Sequence, residues 1–231
     1  MSDNIGRYEL KYVLNECHYT SSMLWLDKTT VRQVYPDRFV NSLYFDDINY
    51  QSVRDNLAGV SDRKKIRLRW YHDNELEIKS EPKLEIKIRK GRLGHKDHFE
   101  LAKLKNNIFH VEIRDIVENI KNNLRQQDEH IILFDAHYIP SLYVSYKREY
   151  YEDRNGLRIT IDKDIKFHHP HPYNKLTQIN SVNYPSCIME LKFPIEIKDE
   201  VGNKIKDLNL RPRRHSKYLV GLAILGNTQY I

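Results

Sequence analysis

Residues 63–71 read Arg63-Lys64-Lys65-Ile66-Arg67-Leu68-Arg69-Trp70-Tyr71 and alternate between basic and apolar side chains. Successive side chains of an extended strand point to opposite faces. This stretch therefore sets Lys65, Arg67 and Arg69 on one face and Ile66, Leu68 and Trp70 on the other. Outward from it the same period recurs. In 83–90, Glu85, Lys87 and Arg89 oppose Leu84, Ile86 and Ile88. In 156–162, Arg158, Thr160 and Asp162 oppose Leu157, Ile159 and Ile161; in 186–193, Glu190 and Lys192 oppose Met189, Leu191 and Phe193. The first such segment, 7–14, sets Arg7, Glu9 and Lys11 against Tyr8, Leu10 and Tyr12. Segment 141–151 sets Tyr146, Arg148 and Tyr150 against a mixed face with Lys147 and Glu149, and 38–45 completes the set of strands.

Helical patterns lie between the strands. Asp47 is placed to cap a short helix in which Tyr50, Val53 and Leu57 share a face, with Gly59 as its stop. Ile113, Ile116, Val117, Ile120 and Leu124 fall at helical spacing. The stretch from Arg214 to Leu225 reads as a final helix. Strands dominate, so the class is α+β on an antiparallel sheet with the helices packed outside. No Ser/Gly linker divides the 231 residues, which points to one domain over 1–231.

An apolar fraction of 40% can supply a core, and a charged fraction of 30% spread along the chain argues against disorder. The net charge of +6 favours an anionic partner. Cys17 and Cys187 form no CxxC pair and read as free thiols of a reducing compartment. Residues 1–7 lack the apolar stretch of a signal peptide, and no apolar run reaches membrane-spanning length, so the expected location is cytoplasmic. There is no GxSxG, HExxH or P-loop.

Alternation alone fits a sheet with a solvated outer face. Here that face is unusually rich in Arg and Lys on several strands. If helices cover the apolar face and the sheet closes, the charged face becomes a lumen. Lys and Arg gathered out of bulk water repel one another, and a polyanion relieves that repulsion through charge-assisted hydrogen bonds. Glu9, Glu85 and Glu190 can pair with these bases or hold a divalent metal that phosphates share.

The stretches Arg7-Tyr8-Glu9-Leu10-Lys11-Tyr12, Ser42-Leu43-Tyr44-Phe45-Asp46, 65–71, Leu84-Glu85-Ile86-Lys87, Tyr146-Lys147-Arg148, Arg158-Ile159-Thr160-Ile161-Asp162, Met189-Glu190-Leu191-Lys192 and Arg214-His215-Ser216-Lys217-Tyr218 run in order along almost the whole chain. In this order they resemble the polyphosphate polymerase domain of the vacuolar transporter chaperone (VTC) family, within the triphosphate tunnel metalloenzymes. The resemblance implies an eight-stranded antiparallel β-barrel tunnel. It implies transfer of the γ-phosphate of ATP onto growing inorganic polyphosphate, with Mn²⁺ (or Mg²⁺). Carried over by motif, Lys11, Arg67, Arg69, Lys87, Arg148, Arg158, Lys192, Arg214 and Lys217 grip phosphates. Tyr146 and Ser216 add hydrogen bonds, Glu190 holds the metal, and Lys96 lines the tunnel.

Two departures from the wider superfamily matter. Its triphosphatase and cyclase branches begin with Glu-x-Glu-x-Lys, whereas this chain has Arg7-x-Glu9-x-Lys11, which favours the polymerase branch. The sensing domain and membrane segments that accompany eukaryotic polymerases do not appear in the sequence, so export of a product would need a separate membrane partner. The competing readings are a tunnel triphosphatase and a non-catalytic polyphosphate-binding module. A nucleic-acid partner is not expected, because the many Tyr residues fall in strands, where β-propensity accounts for them. His168-His169-Pro170-His171-Pro172 and His95-Lys96-Asp97-His98 read as surface loops, and Lys103–Lys105 and Lys204–Lys206 as solvated surface.

Overall fold

The computed structural model describes residues 7–73, 77–78, 80–90, 93–105, 108–125, 134 and 137–226. Among them, strands β1 (Arg7–Leu14), β2 (Arg32–Asp46), β3 (Arg63–His72), β4 (Lys83–Lys90), β5 (Leu93–Glu100), β6 (Ile139–Glu152), β7 (Arg158–His168), β8 (Ser181–Asn183) and β9 (Cys187–Pro194) form the sheet. The helices are α1 (Glu16–Asp27), α2 (Gln51–Leu57), α3 (Ile113–Arg125), α4 (Lys198–Lys206) and α5 (Lys217–Ile224). Strands hydrogen-bond in the order β1, β9, β7, β6, β2, β3, β4, β5, with β8 beside β7. The fold is α+β on an antiparallel sheet, as expected. The pairing is a linear path with a ninth, three-residue strand, where the sequence reading joined eight strands into a ring.

The chain packs as two compact units: Met1–Phe39, Tyr146–Ile165 and Asn183–Ser216 form the first, and Val40–Ser145, Lys166–Val182 and Lys217–Ile231 the second. β2, β6 and β7 each contribute residues to both.

In the first unit β9 lies between β1 and β7, with Leu10 opposite Leu191 and Ile159 opposite Leu191. This register gathers Tyr12, Leu157, Ile159, Ile161, Met189 and Leu191 on one face. Trp25 and Leu26 of α1 and Val201 of α4 are buried in the same cluster. The Trp25 indole N–H donates to the Lys204 carbonyl at 2.9 Å, tying the two helices together. Neither helix was read from the sequence. The buried residues of α1 are only Ser22, Trp25 and Leu26, and those of α4 only Val201, too few to mark a periodic stripe.

In the second unit the even residues of β3 and β4 make the core. Leu68, Trp70, Leu84 and Ile86 are buried with Ile113, Ile116, Ile120 and Leu124 of α3. Four buried aliphatic side chains at about 1.5–3 kcal/mol each are ample to hold a helix of this length on a sheet. Asp47 accepts from the backbone N–H of Asn49 and Gln51, so it organises the entry to α2 as its spacing suggests. Gly59, at φ +67°, follows the helix.

Three sequence readings change here. The segment containing His95-Lys96-Asp97-His98, read as a surface loop, is strand β5, fixed by its ladder with β4 rather than by apolar alternation. The last helix begins at Lys217, and 211–216 carries no regular secondary structure. His168 closes β7 and is buried, while His169–Pro172 is the loop expected. No helix among the described residues is long and apolar enough to cross a membrane.

α5 differs from the covering helices. Tyr218 stacks on Tyr44 at 4.9 Å, and its hydroxyl donates to Asp46 at 2.6 Å. Tyr44 and Asp46 project from β2 on the face opposite the core residues Leu43 and Phe45. A Cβ added at Gly221 would stand 2.6 Å from Phe167 and 2.7 Å from Leu142, so only glycine lets α5 approach this closely. Gly221→Ala is expected to cost about 1–3 kcal/mol by overpacking. Gly202→Ala in α4, where nothing lies within 4 Å, should instead stabilise by about 0.5–1 kcal/mol. Denaturant midpoints of the two variants check both signs.

Candidate functional site

Parity and register together place the charged side chains. In the second unit Lys65 of β3 lies opposite Lys87 of β4, which lies opposite Lys96 of β5. The next row is Arg67, Glu85 and His98, and the one beyond is Arg69, Lys83 and Glu100. Three lysines in direct register repel one another. The face is graded in burial: Lys65, Arg67 and Arg69 of β3 are half-buried and Glu85 is buried, whereas Lys87, Lys96, His98 and Glu100 are exposed.

Glu85 is the counter-charge. Its carboxylate accepts from Arg67 Nε at 2.5 Å and from Lys96 Nζ at 2.8 Å, with His98 Nδ1 at 3.9 Å. Burial opposes its ionisation, but Arg67, Arg69 and Lys96 outweigh burial and hold its pKa down to about 2. Lys96 is pushed below the usual lysine range, chiefly by burial and by Arg67 and Arg69 against the pull of Glu85.

Tyr44 belongs to the same group. Arg67 Nη1 donates to its hydroxyl at 3.3 Å, and Lys65 Nζ lies 5.4 Å from its ring and 5.1 Å from that of Tyr218. Burial alone would raise the Tyr44 pKa. The positive charges of Arg67, Lys65 and Arg69 overcome burial and bring it down to about 7. Arg69 Nε donates to Ser42 Oγ at 3.4 Å. Lys217 opens α5, the helix whose Tyr218 covers Tyr44. Of the residues singled out from sequence, the second unit thus holds Arg67, Arg69, Lys87, Lys96 and Lys217. Lys65 and Tyr44 join them. Strand parity puts Lys65 on this face, but nothing in the sequence alone marks Tyr44 as sitting among cations.

The first unit carries a second charged face. Glu9 lies opposite Lys192, which lies opposite Arg158; Lys11 lies opposite Glu190, which lies opposite Thr160. Lys11 Nζ is 2.7 Å from Glu9 and 3.8 Å from Glu190. Lys192 pairs with Glu190 and lies 3.9 Å from Glu9. The two carboxylates thus share two ammonium groups. Burial disfavours the Glu190 carboxylate, yet Lys192, Lys11 and Arg148 keep its pKa below the ordinary value.

Arg148 makes a bidentate pair with the fully buried Asp162, at 2.5 Å from Nε and 2.9 Å from Nη2. Its guanidinium also lies 5.3 Å from the Tyr146 ring. Burial works against the Arg148 charge, but Asp162 prevails and raises its pKa further. Arg158 pairs with Glu152 at 3.1 Å. Arg214 is exposed and Ser216 half-buried on the segment after α4. That segment is pinned to β1 by the Arg213 N–H to Lys11 carbonyl bond at 2.8 Å, and Lys11 Nζ reaches the His215 carbonyl at 3.5 Å. Lys11, Tyr146, Arg148, Arg158, Glu190, Lys192, Arg214 and Ser216 therefore belong to the first unit.

These two basic, carboxylate-punctuated strand faces fit one family. A family model described as the VTC domain matches residues 6–226. The chain belongs to the VTC domain family. Two solved structures share the fold of this VTC domain. One is the PH1819 protein from Pyrococcus horikoshii OT3, at TM-score 0.51 and 12% identity, covering 95% of this chain and 98% of that one. The other is a putative adenylyl cyclase, HpAC1, from Hippeastrum, described as having a dominant triphosphatase activity. It aligns at TM-score 0.54 and 14% identity over 97% of this chain and 98% of that one. At these identities the likeness establishes the triphosphate tunnel fold alone. No curated protein matches the chain.

The VTC family implies a divalent metal. Among the described residues no group of three or more His, Cys, Asp or Glu stands together to cage one. Glu85 is committed to Arg67 and Lys96. Glu9 and Glu190 are paired too, but they are two carboxylates sharing the same two ammonium groups, and such a pair of hard oxygen donors suits a cation that completes its shell with phosphate and water oxygens. The residues fit a metal held jointly with an anionic ligand.

Two titrations follow from the second unit. The folded pKa of Glu85, about 2, lies below its unfolded value near 4.3. Its stabilisation is complete above that unfolded value and fades as pH falls toward about 2. Glu85→Gln should lower stability at neutral pH and flatten this acid limb of a denaturant-midpoint profile. Independently, the phenolate absorbance of Tyr44, taken as the difference from Tyr44→Phe, should titrate with a midpoint near 7 and move upward in Arg67→Gln.

Proposed function

We propose that the chain is an ATP-dependent polyphosphate polymerase, acting as a single cytoplasmic domain over 1–231. The observation that carries the reading is the row of facing lysines, Lys65, Lys87 and Lys96, beside Arg67 and Arg69, with Glu85 shared between Lys96 and Arg67. Repulsion of this kind is relieved by a ligand carrying closely spaced negative charges, which polyphosphate supplies at every link.

Phosphoryl transfer needs positioning and charge neutralisation more than covalent help from the protein. The terminal phosphate oxygen of a polyphosphate chain attacks Pγ of ATP. A new P–O–P link forms, the bond from Pγ to the β-phosphate oxygen breaks, and ADP departs with that electron pair. The attacking oxygen is already anionic, so no side chain has to remove a proton. Arg67, Arg69, Lys87 and Lys217, with Lys96 beside them, neutralise one stretch of phosphates; Lys11, Arg148, Arg158, Lys192 and Arg214 serve in the same way on the first unit's face. Tyr146 and Ser216 supply hydroxyl donors. Glu190, assisted by Glu9, would hold Mn²⁺ or Mg²⁺, which supplies Lewis-acid neutralisation of phosphate oxygens.

The second reading is a tunnel triphosphatase, favoured by the fold shared with the Hippeastrum protein. Arg7, which opens β1 where a first carboxylate would stand in that branch, weighs against it. A module that binds polyphosphate without turnover is the third.

Purified protein given ATP and Mn²⁺ should release ADP and accumulate long-chain polyphosphate. Release of orthophosphate alone would transfer the assignment to the triphosphatase. Binding of polyphosphate without turnover of ATP under any metal would leave the binding module. Arg67→Ala is expected to lower kcat/KM roughly 10²-fold or more. Glu190→Ala should abolish metal-dependent turnover while polyphosphate is still retained at moderate salt.

A further inference from the structure

In the first unit the charged face passes into an aromatic one at the start of β2. Tyr35 is half exposed, at 51%, within a five-residue opening of β2, Arg32–Pro36, that is exposed throughout. Its ring meets Tyr150 edge-on at 5.9 Å. The Arg38 guanidinium lies over both rings, 5.0 Å from Tyr35 and 6.0 Å from Tyr150. Tyr150 in turn lies 5.9 Å from the guanidinium of Arg148. Asp37 turns to the other side and pairs with Lys147 at 2.9 Å, which keeps its negative charge away from these rings.

We infer that Tyr35, Arg38 and Tyr150 form a stacking platform for the nucleobase of the phosphoryl donor. The inference rests on the polymerase reading and adds to it the part of ATP that the phosphate-gripping residues do not address. An exposed tyrosine ring braced edge-on by a second ring and flanked by a guanidinium is suited to a base, since aromatic and Arg faces both stack on nucleobases. Two 5.9 Å steps lead from the Tyr35 ring through Tyr150 to Arg148. That is the scale of a ribose and triphosphate laid end to end, so a base on Tyr35 leaves its phosphates at the basic face. Stacking of this kind reads no base edge, so the platform accepts purines with little distinction between adenine and guanine.

The test compares a ligand with a base and one without. Equilibrium binding of the β,γ-imido analogue of ATP and of inorganic tripolyphosphate is measured in chelator, so that neither is consumed. In Tyr35→Ala the ratio of nucleotide to tripolyphosphate affinity should fall about tenfold. Tyr35→Phe should keep the wild-type ratio, and the matching guanosine analogue should bind wild type within a few-fold of the adenosine one. An unchanged ratio in Tyr35→Ala, or a parallel loss of both ligands, overturns the platform while leaving the basic site standing. Failure of wild type to bind tripolyphosphate at all would instead overturn the underlying reading, and the platform with it.

Discussion

Glu85 sits where Arg67, Lys96 and His98 converge, and the second unit's basic face depends on it. Without an ionised carboxylate at that point, the row of three lysines and the arginines of the next two rows would lose the one buried carboxylate that the register places among them. Burial makes the charge on Glu85 costly, and its cationic neighbours make losing that charge costlier still. Glu190 holds the equivalent position in the first unit, between Lys11 and Lys192. Each face therefore carries enough negative charge to fold and too little to be neutral. The residual positive charge is what an anionic ligand would meet.

The core makes this arrangement hold. Lys65, Arg67 and Arg69 on β3 are each one residue from a fully buried apolar one, so a slip of register by one position would bury Arg67 against α3 and expose Leu68. The packing of Ile113, Ile116, Ile120 and Leu124 on Leu68, Trp70, Leu84 and Ile86 thus fixes register, and register fixes which cations face one another. α5 acts from the other side. Asp46, fully buried, takes the Tyr218 hydroxyl on one oxygen and the N–H groups of Asp47 and Ser52 on the other. This one carboxylate ties β2, the entry to α2 and α5 together beneath Tyr44.

Much of this was legible in the sequence because alternation is a local signal. The bounds of β1 and β4 match the stretches read from period alone, and α3 begins at the first of its spaced apolar residues and ends one residue past the last. β5 was not legible, because its segment Leu93-Gly94-His95-Lys96-Asp97-His98-Phe99-Glu100 has no apolar alternation and owes its form to the β4 ladder. α1 and α4 escaped because each buries few residues. At the site, parity assigned the faces but not the partners. That Arg148 belongs to Asp162 and Arg67 to Glu85 depends on which strands are neighbours. That Tyr44 lies among cations depends on β2 meeting β3, a long-range fact that no local pattern encodes.

The division of the cations by burial has a chemical consequence. Arg148 and Arg67 are enclosed and held by carboxylates at short range, which fixes their guanidinium planes before any ligand arrives. Lys192 and Arg158, by contrast, are about half exposed. Rigid, paired arginines present donors in a set geometry, and so favour one position of a phosphate over others. Exposed, flexible lysines attract charge without specifying where it stops. On the polymerase reading, a polymer gripped at its reacting end and allowed to advance elsewhere needs both kinds, and the first unit's face combines them in Arg148 and Lys192.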